Sequence, residues 1–252
     1  KSTIIAGGLA LGASSAYAGD ALTVVSWGGA YTKSQIEAYH KPYTAKYGTK
    51  IQSEDYNGGL AEIRAQVEAG KITWDVVDLE VSDAARGCDD GLFEKISAGS
   101  LPNGVNGALP SKDFIPGALQ ECAVGTIVWS TIYAYDADKY KSKKPTTISD
   151  FFDVKKFPGK RGMRKVPKVN LEWALMADGV DGKDVYKVLA TKAGQDRAFK
   201  KLDTIKNDVL WWEAGAQPPQ MLADGEVVMT SAYNGRIFNA AVTEKKNFEI
   251  VW

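Results

Sequence analysis

Short apolar runs alternate with amphipathic segments over the first third of the chain, and this alternation predicts a parallel sheet. We expect strands at residues 21–25, 50–56 and 74–80, each bounded by glycine or polar residues. Between them, apolar residues recur at helical spacing in 32–47 and 60–69. Because crossovers between parallel strands are right-handed, the carboxyl ends of all three strands should share one edge of the sheet.

The first of these helices has recognisable signals at its ends. Residues 32–35 (Thr-Lys-Ser-Gln) fit a capping box and predict a start at Thr32, while Gly48 predicts the end. Pro42 removes a backbone donor inside the pattern and predicts a kink. His40, the single histidine of the chain, is interpreted as a solvated residue of this helix.

The remaining residues predict a second α/β lobe. The long β-branched segment 123–135 is typical of a chain that leaves one lobe and enters another, with Trp129 and Ser130 near the hinge. Further strands are expected at 159–166, 208–212 and 227–233, and helices at 151–152, 170–177, 185–190, 195–206 and 218–224.

These elements predict a two-lobed α/β fold, in which each lobe is a mostly parallel sheet flanked by helices. Lobe 1 would comprise residues 19–128, joined by 233–252 after a return crossing, and lobe 2 residues 129–232. Hinge strands would connect the two lobes.

The ends of the chain carry their own signals. Residues 1–18 have a basic start, a short apolar run and an Ala-Tyr-Ala site, which is the pattern of a secretory signal peptide; a buried core helix is the alternative. We therefore expect an exported, periplasmic protein. The chain starts without Met and stops inside an apolar run at 248–252, so we also expect truncation at both ends, with a frayed natural tail as the alternative.

Charge and motif content argue against several classes of function. Lys plus Arg and Asp plus Glu both number 31, so no excess of basic charge indicates nucleic acid binding. One histidine and the absence of nucleotide-binding, zinc-protease or nucleophile-elbow motifs disfavour catalysis, so we expect no enzyme, cofactor or metal. Separately, we expect a monomer. A hydrolase that uses two of the carboxylates Asp55, Glu80 and Glu172 remains an alternative.

Cys88 and Cys122 are the two cysteines of the chain. An even number in an exported protein predicts a disulfide between them, whereas two free buried thiols are the alternative. Such a bridge typically stabilises a protein by about 3–4 kcal/mol.

Aromatic residues at predicted strand ends and hinge crossings indicate a site for a small organic amine. The set is Trp27, Tyr31, Tyr56, Trp129, Trp212 and Tyr233. Aromatic faces hold an alkylammonium group with about 0.5–2 kcal/mol per contact, and a carboxylate such as Glu80 or Glu172 would neutralise its charge. Trp74 and Trp173 are interpreted as core residues. Trp211 and Trp212 must point to opposite faces of one strand, and we assign Trp212 to the cleft.

Glycine pairs at two strand ends support a second binding hypothesis. Gly28 with Gly29, and Gly58 with Gly59, precede helices, where bare backbone N–H groups are able to cradle phosphate, sulfate or a carboxylate. An anion receptor is therefore the rival within the binding class.

Five segments resemble the periplasmic substrate-binding proteins of polyamine-type ABC transporters: residues 25–31, 74–78, 91–96, 127–131 and 232–236. The resemblance implies the two-lobed periplasmic binding protein fold and a hinge-bending receptor of the spermidine/putrescine-binding family that delivers its ligand to a membrane permease. It also implies that Trp27 packs on the ligand's methylene chain, that Glu172 is the acid of lobe 2, and that Tyr233 is the aromatic of the return crossing.

The sequence departs from that family's pattern after Tyr233. Polyamine binders tend to carry an acid there, whereas this chain has Asn234, Gly235 and Arg236. Arg236 would suit a ligand carboxylate instead, so a polyamine and an amino-acid-like zwitterion both remain open.

Overall fold

The structure is a computed structural model that describes residues 21–252, so the predicted signal peptide lies outside the described residues. The strands are β1 (Leu22–Ser26), β2 (Ile51–Asp55), β3 (Val76–Val77), β4 (Thr131–Asp136), β5 (Arg161–Arg164), β6 (Val209–Trp212), β7 (Met229–Tyr233) and β8 (Phe248–Val251). The α-helices are α1 (Gly29–Gln35), α2 (Lys41–Tyr47), α3 (Ala61–Ala69), α4 (Val81–Asp89), α5 (Pro110–Asp113), α6 (Ile148–Phe152), α7 (Asn170–Ala177), α8 (Val185–Leu189), α9 (Lys192–Asp203), α10 (Gln217–Ala223) and α11 (Asn234–Phe238). None of the helices in this part of the chain is long and apolar enough to cross a lipid bilayer.

The first lobe is built on a parallel sheet of order β2-β1-β3, which confirms the predicted β-α-β-α-β order. Its strands therefore present their carboxyl ends at one edge. β3 is much shorter than predicted, and just before it the Asp75 side chain accepts the backbone N–H of Thr23 at 2.7 Å. A carbonyl would accept that N–H in a longer ladder.

The first helix begins at Gly29 rather than at Thr32, so the predicted capping box is wrong. The N–H of Gly28, which has a φ of 70°, donates to Thr32 Oγ1 at 2.9 Å and places Thr32 inside the first turns. The predicted distortion near Pro42 is present as a π-helical turn over Ile36–His40 that precedes α2. Gly48, with a φ of 72°, ends the helix as predicted.

His40 is buried and not solvated, contrary to the expectation from the helix pattern. Its Nδ1 lies 3.0 Å from Ser53 Oγ on β2, so the wider π-helical turn directs the imidazole at the sheet. Burial lowers the pKa of His40 below its usual range.

The second lobe contains a five-stranded sheet of order β6-β5-β7-β4-β8, and this sheet is mixed rather than mostly parallel. β5 is parallel to β6 and β7, whereas β4 is antiparallel to β7 and β8. Because β8 pairs with β4, with Tyr133 opposite Val251, the segment after residue 233 lies against lobe 2. The expected return of 233–252 to lobe 1 is therefore wrong.

Two apolar clusters pack on opposite faces of this sheet, as the period of a strand requires. Tyr133 and Tyr135 of β4 face a cluster that includes Phe151, Met163 and Leu175. Ile132 and Ala134 face the other cluster, which includes Trp212, Leu222 and Ile237. Trp173 packs against the first cluster, which confirms its prediction as a core residue.

The predicted disulfide is present. Cys88, near the end of α4, is bonded to Cys122, which lies shortly before the hinge segment, and their Cα atoms are 5.7 Å apart. The bridge therefore fastens a surface segment of the first lobe to the chain that leads into the second.

Candidate functional site

A cavity of about 1440 Å³ opens at the carboxyl edge of the first sheet, where lobe 1 meets the hinge segments and α11. Six of the predicted site residues line it: Trp27, Tyr31, Glu80, Trp129, Tyr233 and Arg236. The rest of its wall extends over apolar side chains of lobe 1, among them Ile63, Val67 and Leu79. Trp74, predicted as a core residue, is half-buried and also lines this wall.

The segment 26–31, which we call the binding loop, places Trp27 at the end of the cavity near the hinge. The Trp27 ring packs on Tyr56, with centroids 5.3 Å apart, and Tyr56 packs edge-on against Trp74. A Cβ at Gly58 would lie 2.4 Å from the indole of Trp27, so the loop after β2 holds this ring in place. Tyr56 is buried and therefore supports Trp27 from behind instead of lining the cavity.

Buried polar groups fix the backbone of the binding loop. Ser26 Oγ donates to Asp78 at 2.6 Å, and Gln35 donates to the same carboxylate. Thr32 Oγ1 donates to Asp55 at 3.0 Å while it accepts the N–H of Gly28. These bonds hold the backbone of the loop in place.

Arg236 connects the second lobe to the binding loop. From α11, its Nη2 donates to the carbonyl oxygens of Trp27 at 2.7 Å and Gly28 at 3.1 Å, and the residue is only 8% exposed. A Cβ at Gly29 would lie 2.9 Å from Nη1, so the guanidinium also needs glycine beside it. Arg236 therefore holds the loop, and a direct role with a ligand carboxylate is not what its contacts favour.

Arg164, a residue that the sequence analysis did not select, lies against two rings of the cavity wall, although it is not itself among the residues that line the cavity. Its guanidinium carbon is 5.7 Å from the Trp27 ring centroid and 5.9 Å from that of Tyr233. Nη1 donates to Glu80 at 2.9 Å and Nη2 to the carbonyl of Asn57 at 3.1 Å. Its position at the carboxyl end of β5, where ligands of α/β proteins bind, was the available signal.

Glu80 lies in the cleft as predicted, but cationic side chains already occupy both of its oxygens. Oε1 accepts from Arg164 and Oε2 from Lys168 Nζ at 2.6 Å, and the side chain is 13% exposed. Burial alone would raise the pKa of Glu80, but the hydrogen bonds from Lys168 and Arg164 outweigh it and lower the pKa. The predicted role of Glu80 as the partner of a ligand ammonium is therefore not supported by its contacts.

Tyr233 and Trp129 form the second aromatic part of the cavity wall, with ring centroids 4.9 Å apart and an edge-on geometry. Ser130 fastens this corner, because its backbone N–H donates to Asn234 Oδ1 at 3.0 Å and its carbonyl accepts the N–H of Asn234. Tyr31 completes the wall from lobe 1, with its hydroxyl 3.5 Å from Thr126 Oγ1.

Trp212 lies inside the second apolar cluster and not in the cleft, so its assignment as a ligand contact is wrong. Its ring centroid is 5.9 Å from that of Tyr233, which it supports from the core side. Trp211, on the opposite face of β6, is 49% exposed and does not line the cavity either.

Glu172 lies in the first turn of α7 and is half-buried. It is not among the residues that line the cavity. Its Oε2 atom is buried and has no hydrogen-bond partner among residues 21–252. Its role as the acid of lobe 2 stays a prediction.

The geometry weakens both alternatives from the sequence. The N–H of Gly28 is used by Thr32 and this glycine faces the Asp55 carboxylate, while Gly58 is packed on the Trp27 indole, so neither lies at an open anion site. The carboxylates proposed for hydrolysis are held apart: Asp55 accepts from Thr32, Glu80 pairs with Arg164 and Lys168, and Glu172 lies on α7 outside the cavity wall. Within residues 21–252 no group of three or more His, Cys, Asp or Glu side chains is arranged to hold a metal ion.

Comparison with known proteins places the chain in a family. Residues 38–252 match the family described as bacterial extracellular solute-binding protein. The chain belongs to this family. This solute-binding protein is accordingly a receptor and not an enzyme.

Similar proteins support the same conclusion. The solute-binding protein is 48% identical over 245 residues to the gamma-aminobutyric acid-binding protein of Pseudomonas aeruginosa, covering 97% of this chain and 67% of that protein. It is 32% identical to the binding protein MotA of A. tumefaciens B6, solved with glucopine, with a TM-score of 0.82 over 91% of this chain and 68% of the other. It is 34% identical to the GABA receptor Atu4243, with a TM-score of 0.75 over 92% of this chain and 68% of the other. These likenesses confirm the α/β periplasmic binding protein fold.

Proposed function

We propose that this protein captures a small ω-amino acid of the γ-aminobutyrate (GABA) type in the cleft and delivers it to the membrane permease of an ABC importer. Two similar proteins carry GABA in their names, at 48% and 34% identity. GABA is a zwitterion, which was one of the two ligand classes left open by the sequence. The polyamine alternative has no comparable support.

The position of Arg164 carries the proposal. A guanidinium is held between the rings of Trp27 and Tyr233, so the place that an aromatic cage would offer to a ligand cation already contains a cation of the protein. Contacts to Glu80 and Asn57 use two of its five N–H groups, which leaves a planar set of donors suited to a carboxylate.

The same arrangement disfavours a diamine. Arg164 and Lys168 occupy both oxygens of Glu80, so Glu80 offers no free oxygen to a ligand ammonium, and the guanidinium of Arg164 is the charge that faces the rings of Trp27 and Tyr233. A ligand with a carboxylate toward Arg164 and an ammonium at its other end matches this arrangement. The ammonium end would lie against Trp129, which lines the cavity and is 41% exposed, where cation–π contact stabilises it without a second buried carboxylate.

The experiment is to replace Arg164 and measure GABA binding by calorimetry. Arg164→Gln removes the charged donors, and we expect the affinity to fall about tenfold to a hundredfold, because hydrogen bonds to a charged group are worth about 1.5–3 kcal/mol. Arg164→Lys keeps the charge but loses the planar geometry, so its affinity should lie between those of Arg164→Gln and the unmodified protein.

Lys165→Gln is the matched control, because Lys165 adjoins Arg164 but is exposed and pairs with Glu213. Its affinity for GABA should equal that of the unmodified protein. If Arg164→Gln binds GABA as tightly as Lys165→Gln does, Arg164 does not hold the ligand carboxylate and the proposed site is wrong.

The proposal also includes a monomeric receptor in the periplasm, in keeping with an extracellular solute-binding family. Light scattering after size exclusion should give the mass of one chain at micromolar concentration. A stable dimer would contradict this part of the proposal.

A further inference from the structure

Lys168 makes the other cross-lobe contact to Glu80. From the segment between β5 and α7, its Nζ donates to Glu80 Oε2 at 2.6 Å and to Ser82 Oγ at 2.9 Å, and it lies 3.4 Å from Asp83 Oδ2. Asp83 also pairs with Arg86 at 3.0 Å. Lys168 therefore reaches from lobe 2 onto the start of α4 in lobe 1.

The backbone around Lys168 is held in a strained conformation that aims it across the cleft. Val169 has a φ of 70°, which a β-branched residue rarely adopts. Asn170 is 3% exposed, and its Nδ2 donates to the carbonyls of Arg164 at 2.6 Å and Val166 at 2.7 Å. One buried amide thus fixes the segment that carries both cations of the site.

We propose that Lys168 is a specificity-determining residue, which occupies Oε2 of Glu80 and so keeps this carboxylate from the ammonium group of a ligand. With Lys168 in place, the cleft favours a ligand that brings a carboxylate and rejects one that carries ammonium groups at both ends. The inference rests on the proposed function, which it deepens by naming the residue that excludes diamines.

The charges that face Glu80 explain why Lys168, and not Arg164, sets this preference. Arg164 holds Oε1 and lies against the rings of Trp27 and Tyr233, which line the cavity, so its removal would also disturb the aromatic wall. Lys168 is 44% exposed and holds Oε2 from the side of Ser82 and Asp83; like Arg164, it is not among the residues that line the cavity. Its removal would leave Arg164 as a single cation on Glu80 and would open one carboxylate oxygen to a ligand ammonium.

The test is the ratio of affinities for GABA and putrescine, which differ in one end group, measured by calorimetry on single variants. Lys168→Met should shift the ratio toward putrescine by about tenfold or more, because one charge-assisted hydrogen bond becomes available to the diamine. Lys168→Arg should keep the ratio of the unmodified protein, as should the exposed control Lys165→Met.

A double variant, Lys168→Met with Glu80→Gln, should lose the gain in putrescine binding, because the oxygen that the diamine uses is then uncharged. Thermal unfolding establishes that each variant is folded. An unchanged ratio in Lys168→Met, or a putrescine gain that persists in the double variant, would overturn the inference. If the unmodified protein already prefers putrescine to GABA, it is the proposed function that fails.

Discussion

Replacing Arg236 by alanine tests whether this guanidinium holds the protein together or contacts the ligand. The structure places its Nη2 on two carbonyl oxygens of the binding loop, at 2.7 and 3.1 Å, in a residue that is 8% exposed. Arg236→Ala would leave the Trp27 carbonyl without this donor, while the Gly28 carbonyl would keep only the N–H of Thr32 at 3.5 Å. Because a buried acceptor left unpaired costs about 1–3 kcal/mol, the loss of one full and one partial partner should lower the free energy of unfolding by about 2–4 kcal/mol.

For a chain of this size a loss of 1 kcal/mol lowers the Tm by about 2–4 °C, so Arg236→Ala should unfold about 4–16 °C earlier in calorimetry without ligand. Arg197→Ala is the matched control: Arg197 also makes two bonds, both to Asp178, but its side chain is 44% exposed. Its Tm should change by no more than about 2 °C. An Arg236→Ala protein with an unchanged Tm and strongly weakened GABA binding would refute the loop-holding role. It would instead support the earlier prediction that Arg236 contacts the ligand carboxylate.

Three further changes test separate parts of the structure. Gly58→Ala should weaken GABA binding and alter tryptophan fluorescence, because a Cβ there would lie 2.4 Å from the indole of the binding loop; Gly59→Ala, where φ is also positive but no atom lies within 4 Å, should show neither effect. Reduction of the Cys88–Cys122 bridge should lower the free energy of unfolding by about 3–4 kcal/mol, and a denaturation midpoint unaffected by reductant would contradict this. Hydrogen bonds from a lysine and two threonines outweigh the burial of Asp150 and lower its pKa to about 2. The stability it provides is complete above about pH 4 and is lost as the pH falls toward 2, so Asp150→Asn should flatten the acid unfolding curve in that window.

The sequence pattern predicted the elements well wherever one face of a strand or helix is buried. The helix 170–177 and the parallel pairing of the first three strands followed from apolar spacing alone. Gly48 and Gly70 end their helices in the left-handed conformation for which glycine is suited.

The misplaced elements depend on contacts that local patterns do not contain. The helix start at Gly29 requires the bond between Gly28 and Thr32, and the burial of His40 requires a π-helical turn. The pairing of β8 with β4 joins residues that lie more than a hundred positions apart. Pairing over such distances is decided by tertiary packing.

The sequence predicted the aromatic residues of the cavity wall but not the arginine that lies against them. Trp27, Trp129 and Tyr233 line the cavity as expected, because strand ends and hinge crossings are readable from the sequence. Arg164 appeared as one basic residue in a basic strand, and nothing local distinguishes a guanidinium that a sheet edge places between two rings. An arginine at the carboxyl end of a parallel strand merits attention for that reason.

Competition between GABA and putrescine for the unmodified protein tests the central claim most directly. The two ligands have the same chain length and differ by a carboxylate against an ammonium, so their affinities report the charge that the cleft prefers. With a guanidinium between the two rings, GABA should bind at least about a hundredfold more tightly than putrescine in calorimetry. Equal affinities, or tighter binding of putrescine, would contradict the account.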